Sequence, residues 1–181
     1  FVGINIVGVE LTFRLTVAIT VLALAVLVVF WIGALPLFRW EHALNIVPDP
    51  GQSVWFPKGF SGVAASLPFA IWFYLAIEQL PLAAEESHDP KRDMPRGLLW
   101  GIATLIVASI LTLFLNAGIA PGAAVVGGSD QPLLLAFQTI FGEGASSTAL
   151  SLAAVAGLVA SFHAIIYAYG RNIYSLSRAG Y

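Results

Sequence analysis

Residues 12–35, TFRLTVAITVLALAVLVVFWIGAL, hold one charged side chain, Arg14, near their start and none after it. A helix over that run is long enough to cross the hydrocarbon core of a bilayer, which takes roughly 20 mostly apolar residues. Three further stretches reach that length: about 60–84, with Glu78 as its one charged group, about 98–118 and about 146–169. Lipid offers the backbone no hydrogen bonds, so apolar runs of this length must satisfy their own amides and carbonyls as helices. The expected fold class is an all-α membrane protein with four transmembrane helices, residues 1–181 forming a single membrane domain. The piece at 131–141, QPLLLAFQTIF, is too short to span and is expected to lie at the interface or to pack as a short helix.

Composition excludes the soluble alternative. Hydrophobic residues make up 59% and charged residues 10%, with a mean hydropathy of +0.87, which leaves too little charge to cover a water-exposed surface. A formal net charge of −2 gives no basic patch for nucleic acid, which is not expected as a partner; the lipid bilayer is. With no cysteine, disulfides, thiolate metal sites and cysteine nucleophiles are excluded. The chain opens on Phe1 and closes on Tyr181 without a basic leader or a tail, and is expected to be an internal fragment of a longer protein.

Loop charges orient the four spans. With the segment before Arg14 on the cytoplasmic side, that side carries Arg14, Lys91, Arg92, Arg96, Arg171 and Arg178, against Arg39 and Lys58 on the other. That asymmetry follows the positive-inside rule and sends the first and third spans outward, the second and fourth inward. A multi-pass protein of the cell inner (plasma) membrane is the expectation. Along the fourth span, Ala149, Ala153, Gly157, Ser161, Ala164 and Ala168 recur at helical spacing. Such a stripe lets another helix approach closely and is read first as bundle packing.

Glu78 carries the most chemical information. A charge at membrane depth costs on the order of 3 kcal/mol or more unless it is paired, shielded or protonated. Glu78 is either a structural carboxylate bonded to a neighbouring helix or a gate, proton site or cation contact. Pro68 and Pro81 each remove one intrahelical hydrogen bond on either side of it, so a kinked or broken second span is expected. Trp72, Phe73 and Tyr74 lie between the prolines as packing residues or as walls of a box for a cationic group. Freed carbonyls, aromatic faces and a carboxylate together suit a small amine. His163, inside the fourth span, is read first as a polar packing contact, and His42 and His88 fall in loops. No metal-spaced cluster, phosphate-binding glycine loop or nucleophile motif appears, so no catalytic residue, metal or cofactor is assigned and the chain is read as a non-enzyme.

Across residues 72–96, WFYLAIEQLPLAAEESHDPKRDMPR, the sequence resembles the amino acid–polyamine–organocation (APC) transporter superfamily. The positions that carry the likeness are Glu78, Ala84, Glu85, Glu86, Asp89, Pro90, Arg92, Met94, Pro95 and Arg96. Residues 8–29 resemble the superfamily's fifth helix, and residues 167–181, YAYGRNIYSLSRAGY, its eighth helix and the loop after it. Within the superfamily, PFAIWFYLAIEQLPLAAEE and HAIIYAYGRNIYSLSRAGY are most similar to ethanolamine permeases.

That resemblance implies a LeuT-like fold of two inverted repeats, with the four spans as helices five to eight and the second span interrupted at the substrate site. It places the interruption near residues 72–75, gives the carbonyls of Trp72 and Leu75 to a substrate ammonium, makes Trp72 an aromatic gate or wall, and assigns Glu78 to gating or proton coupling. Ala76 stands where many members have glycine, and the first span lacks the lysine of some proton-coupled relatives, so the coupling ion, proton or sodium, stays open. The implied activity is secondary-active transport of a small organic amine, ethanolamine by preference, by alternating access. The alternatives are an amino acid permease of the same superfamily and a non-transporting membrane sensor or subunit.

Overall fold

The structure, a computed structural model, describes residues 9–75 and 77–180, without the side chains of Val9, Glu78, Ala83, Glu85 and Glu86. The described residues form helices and turns and no strand. In chain order these are α1 (Val9–Ala34) with a 3-10 turn (Leu35–Leu37), α2 (Trp40–Ala43), α3 (Gly59–Phe73), a 3-10 segment (Ile77–Glu86), α4 (Pro90–Gly118), α5 (Ala123–Val126), α6 (Pro132–Phe141) and α7 (Ala145–Arg178).

Three stretches, Glu10–Leu37, Pro90–Gly118 and Ala145–Arg178, are long and apolar enough to cross a membrane. The second expected span is different. Its helix stops at Phe73 after 15 residues, which is about 22 Å at 1.5 Å per residue, short of a hydrocarbon core of about 30 Å. After Tyr74 and Leu75 the chain resumes as the 10-residue 3-10 segment, adding about 20 Å at 2.0 Å per residue. The two pieces together are long enough for the crossing that neither makes alone. Pro68 does not cause the interruption: α3 runs through it for another turn and more. One missing amide hydrogen is tolerated inside an otherwise intact helix.

The short elements have legible boundaries. Pro90 and Pro132 open α4 and α6 at the position where a helix amide has no partner to lose. Gly142, at φ +80°, closes α6 in a conformation that glycine adopts without strain.

α1 and α7 lie side by side and antiparallel. Phe13 meets Tyr167 with ring centroids 5.4 Å apart. Further along α1, a Cβ on Gly157 would sit 3.7 Å from that of Ala23, an ordinary contact. Beyond it, Val26 and Phe30 share a core with Leu150, Ala153 and Ala154. The small-residue face of α7 is therefore a packing face for α1, and Gly157 lets the two backbones come close. α4 runs parallel to α1: Trp31 Nε1–H donates to Thr112 Oγ1 at 3.0 Å, and Phe38 stacks on Phe114 at 5.1 Å. These relative directions are the ones the basic residues set.

The core collects where α1 and α4 end. Phe30 and Phe137 are fully buried and meet edge to face at 6.2 Å, joined by Ala34, Leu115, Ile119 and Ala136. α6 is thus a short helix driven into the bundle. Loops seal the same end. Asn45 accepts from Ala124 N–H at 2.8 Å and donates to the Pro121 carbonyl at 3.2 Å, tying the chain after α2 to the turn before α5. Arg39 N–H bonds to the Gly118 carbonyl at 2.8 Å. The ring of Phe38 occupies the space that a Cβ on Gly118 would need.

Two outcomes follow for the detergent-solubilised full-length protein. Asn45→Ala loses both loop bonds and costs about 1–3 kcal/mol in reversible unfolding, whereas Asn45→Asp keeps the acceptor and costs less. Gly118→Ala displaces Phe38 from its stack and destabilises by about 1–3 kcal/mol. A Gly118→Ala melting curve unchanged from wild type contradicts the packing described here.

Candidate functional site

The interruption between α3 and the 3-10 segment is the candidate site. At its upstream edge Tyr74 adopts φ −108° and ψ 7°, between the helical and extended regions. Tyr74 N–H bonds to the Ile71 carbonyl at 3.2 Å and Leu75 N–H reaches the Trp72 carbonyl at 3.4 Å, each three residues back rather than four. Pro81 removes the bond to the Ile77 carbonyl just beyond the break, while Leu75, Gln79 and Leu80 are good helix formers and no glycine intervenes.

The Tyr74 side chain reaches α4 at this point. Tyr74 Oη is 2.9 Å from Ser109 Oγ, and Ser109 is 6% exposed. Ser109 Oγ also donates to the Ile106 carbonyl at 3.0 Å. A hydroxyl has one hydrogen to give, so the Tyr74 phenol is the donor to Ser109. Beyond the break, Leu80 Cδ2 comes within 3.3 Å of the Cβ that Gly97 lacks, and Ile77 within 3.8 Å of that of Gly101. Gly97 and Gly101 stand four apart on one face of α4, a small-xxx-small pair that admits the 3-10 segment. Ser109 and this glycine pair escape a reading of the sequence for charges and prolines; the spacing of the glycines was the available signal.

A concavity of about 480 Å3 opens at the break, lined by Ala70, Ile71, Tyr74 and Leu75. Of the four residues expected to contact substrate, Tyr74 and Leu75 line it, while Trp72, 73% exposed, and Phe73 stand outside that lining. The side chain of Glu78 lies outside the described residues, although its backbone belongs to the 3-10 segment. His163 is fully buried on α7. A second concavity of similar size, about 470 Å3, lies between α6 and α7 against Leu133, Ser151, Leu152 and Val155. A third, of about 430 Å3, brings Pro81 and Leu82 against Arg171, Tyr174 and Arg178 of α7. There the Arg171 guanidinium sits 5.6 Å from the Tyr167 ring centre, and its Nε donates to the Tyr167 hydroxyl at 3.2 Å.

The charged turn after the 3-10 segment is ordered by Asp93, ahead of the apolar run that begins at Leu98. The Ser87 hydroxyl donates to Asp93 at 2.9 Å and the Asp89 amide at 3.2 Å. These bonds, Ser87 foremost, hold the Asp93 carboxyl below the usual range. No group of three or more metal-ligating side chains occurs among the described residues.

A family profile described as amino acid permease matches residues 1–181. An uncharacterized transporter of Rhizobium meliloti is 33% identical over 175 residues, covering 94% of this chain and 35% of the relative. A branched-chain amino acid permease of Bacillus subtilis is 24% identical over 86% of this chain and 33% of its own length. A methylthioribose transporter of the same organism is 26% identical over 96% of this chain and 35% of its own. The chain spans about a third of the length of these relatives. No solved structure matches it. The apolar helices make it part of a multi-pass membrane protein, and with the profile matching from end to end, the chain belongs to the amino acid permease family.

Proposed function

We propose that this chain is the substrate-bearing part of a secondary-active permease for a small ammonium compound, ethanolamine by preference. The observation that carries the reading is a helix interruption at Tyr74–Leu75, opening on a concavity within a membrane crossing. Backbone that leaves the helical ladder at that depth is tolerated where it lines a cavity or is covered by protein. Interrupted helices of this kind build transporter binding sites near mid-membrane. The substrate ammonium docks at the carbonyls of Trp72 and Leu75. Trp72 O accepts a long 3.4 Å bond from within the chain and keeps a lone pair for a ligand. The Tyr74 ring forms part of the wall, and Trp72 and Phe73, outside the lining in this structure, close over the cation once the rest of the transporter is in place. A LeuT-type inverted repeat in the inner membrane supplies the rocking motion, driven by a proton or sodium ion.

The family itself favours a second substrate class. Its description and the branched-chain permease point to amino acids, whose ammonium group would use the same carbonyls. One relative is named for methylthioribose, so a non-amine solute belongs in any substrate panel.

Uptake by the full-length protein in proteoliposomes tests the proposal, with labelled ethanolamine, amino acid competitors, and imposed pH or sodium gradients. Saturable ethanolamine uptake that amino acids do not displace is the expected result; displacement by a branched-chain amino acid moves the substrate to the second class. Absence of flux with retained binding would instead identify a sensor. Trp72→Ala is expected to weaken substrate binding about 2- to 30-fold without lowering the melting temperature. Glu78→Gln separates its two roles: loss of pH-driven accumulation with exchange preserved marks a proton site, and loss of both marks a gate.

A further inference from the structure

The geometry points to Tyr74 as a positioning residue that latches the helix break to α4 through Ser109 and so holds the substrate concavity in its binding-ready shape. The inference deepens the permease reading and rests on it for its transport arm.

Three observations combine. First, the Tyr74 hydroxyl is committed. Ser109 gives its own hydrogen to Ile106, so the phenol donates to Ser109 Oγ at 2.9 Å. The part of Tyr74 that could bond a polar substrate is thereby turned to a neighbouring helix, while its ring lines the concavity. Second, the acceptor is in a closed setting: Ser109 is 6% exposed in the middle of an apolar helix. Water competes poorly for such a hydroxyl, and a donor left without it has few alternatives in that medium. Third, the latch sits at the last residue before the ladder fails. Tyr74 is the C-cap of α3, and its dihedrals are those of a turn rather than a helix.

Across the break the contacts to α4 are apolar, Ile77 and Leu80 against Gly101 and Gly97. Those can slide along a glycine face, whereas a hydrogen bond fixes one register. The phenol therefore sets where the helix stops, and the glycine face sets how near the following segment comes. Without the hydroxyl, the helix propensity of Leu75, Gln79 and Leu80 favours carrying the helix past Leu75 toward Pro81, which ends it. A break that is formed for a smaller share of the time raises the apparent KM by that share and leaves the maximal rate of the formed fraction alone.

Tyr74→Phe removes the hydroxyl and keeps the ring; Ser109→Ala removes the acceptor. In the full-length protein each is expected to raise the transport KM about three- to tenfold, the range of one interhelical hydrogen bond in a membrane, with the maximal rate within a factor of about two of wild type. The double variant is expected to match either single one, because both remove the same bond. A fall in maximal rate at unchanged KM, the mark of a merely structural role, overturns the inference. So do an unaffected Ser109→Ala, which makes the phenol a direct substrate ligand, and effects that multiply in the double variant. Amide hydrogen exchange on the substrate-free protein reads the latch without transport. Either variant should change exchange at Tyr74 and Leu75 about three- to tenfold relative to wild type, and no change overturns the inference. If the wild type carries no solute at all, the permease reading fails and this exchange measurement alone decides the latch.

Discussion

A chain crossing lipid has to satisfy its own backbone, and the second crossing here does so with help. α3 is only 15 residues long, too short to cross a bilayer alone, and the chain that follows packs on α4. The Tyr74–Ser109 bond at 2.9 Å and the glycine face at Gly97 and Gly101 are what make that packing close. In a bilayer an interruption is costly unless a neighbour fits it, and α4 presents a face that does.

The rest of the molecule divides around that break. Where α1 and α4 end, aromatic rings and short helices pack densely: Phe30 against Phe137, Phe38 between Phe114 and Trp40, Asn45 knitting two loops. Around the break the packing is lighter, with Tyr74 and Leu75 lining a concavity and Trp72 standing exposed. Membership of the amino acid permease family, from end to end of the chain, fits that division.

Much of this was legible beforehand, and the exceptions are physical. Three apolar runs became the three long helices because length and hydropathy leave a membrane segment no other way to pair its amides. Of the small-residue stripe, Ala153 and Gly157 pack on α1 as small residues do. Pro68, one of the two prolines read as loosening the second span, sits inside α3, which continues past it. The ladder fails at Tyr74, inside the 72–75 stretch where the resemblance put an interruption, and the Tyr74 hydroxyl bonds a partner 35 positions away. Ser109 and Asn45 went unnoticed since neither carries a charge or breaks a pattern; their roles depend on what they face.

The sequence by itself determined that this is a helical membrane protein, which way its helices run relative to one another, and that its second apolar run carries a charge, Glu78, and a proline, Pro81. Those properties follow from the summed hydropathy, the charge and the covalent geometry of each segment. Only the tertiary structure decided that the Tyr74 hydroxyl meets Ser109 of α4 and that α6 enters the core. Those depend on single contacts between residues far apart in the chain. A hydrogen bond or a close approach needs two partners within a few ångströms, and only folding brings them there.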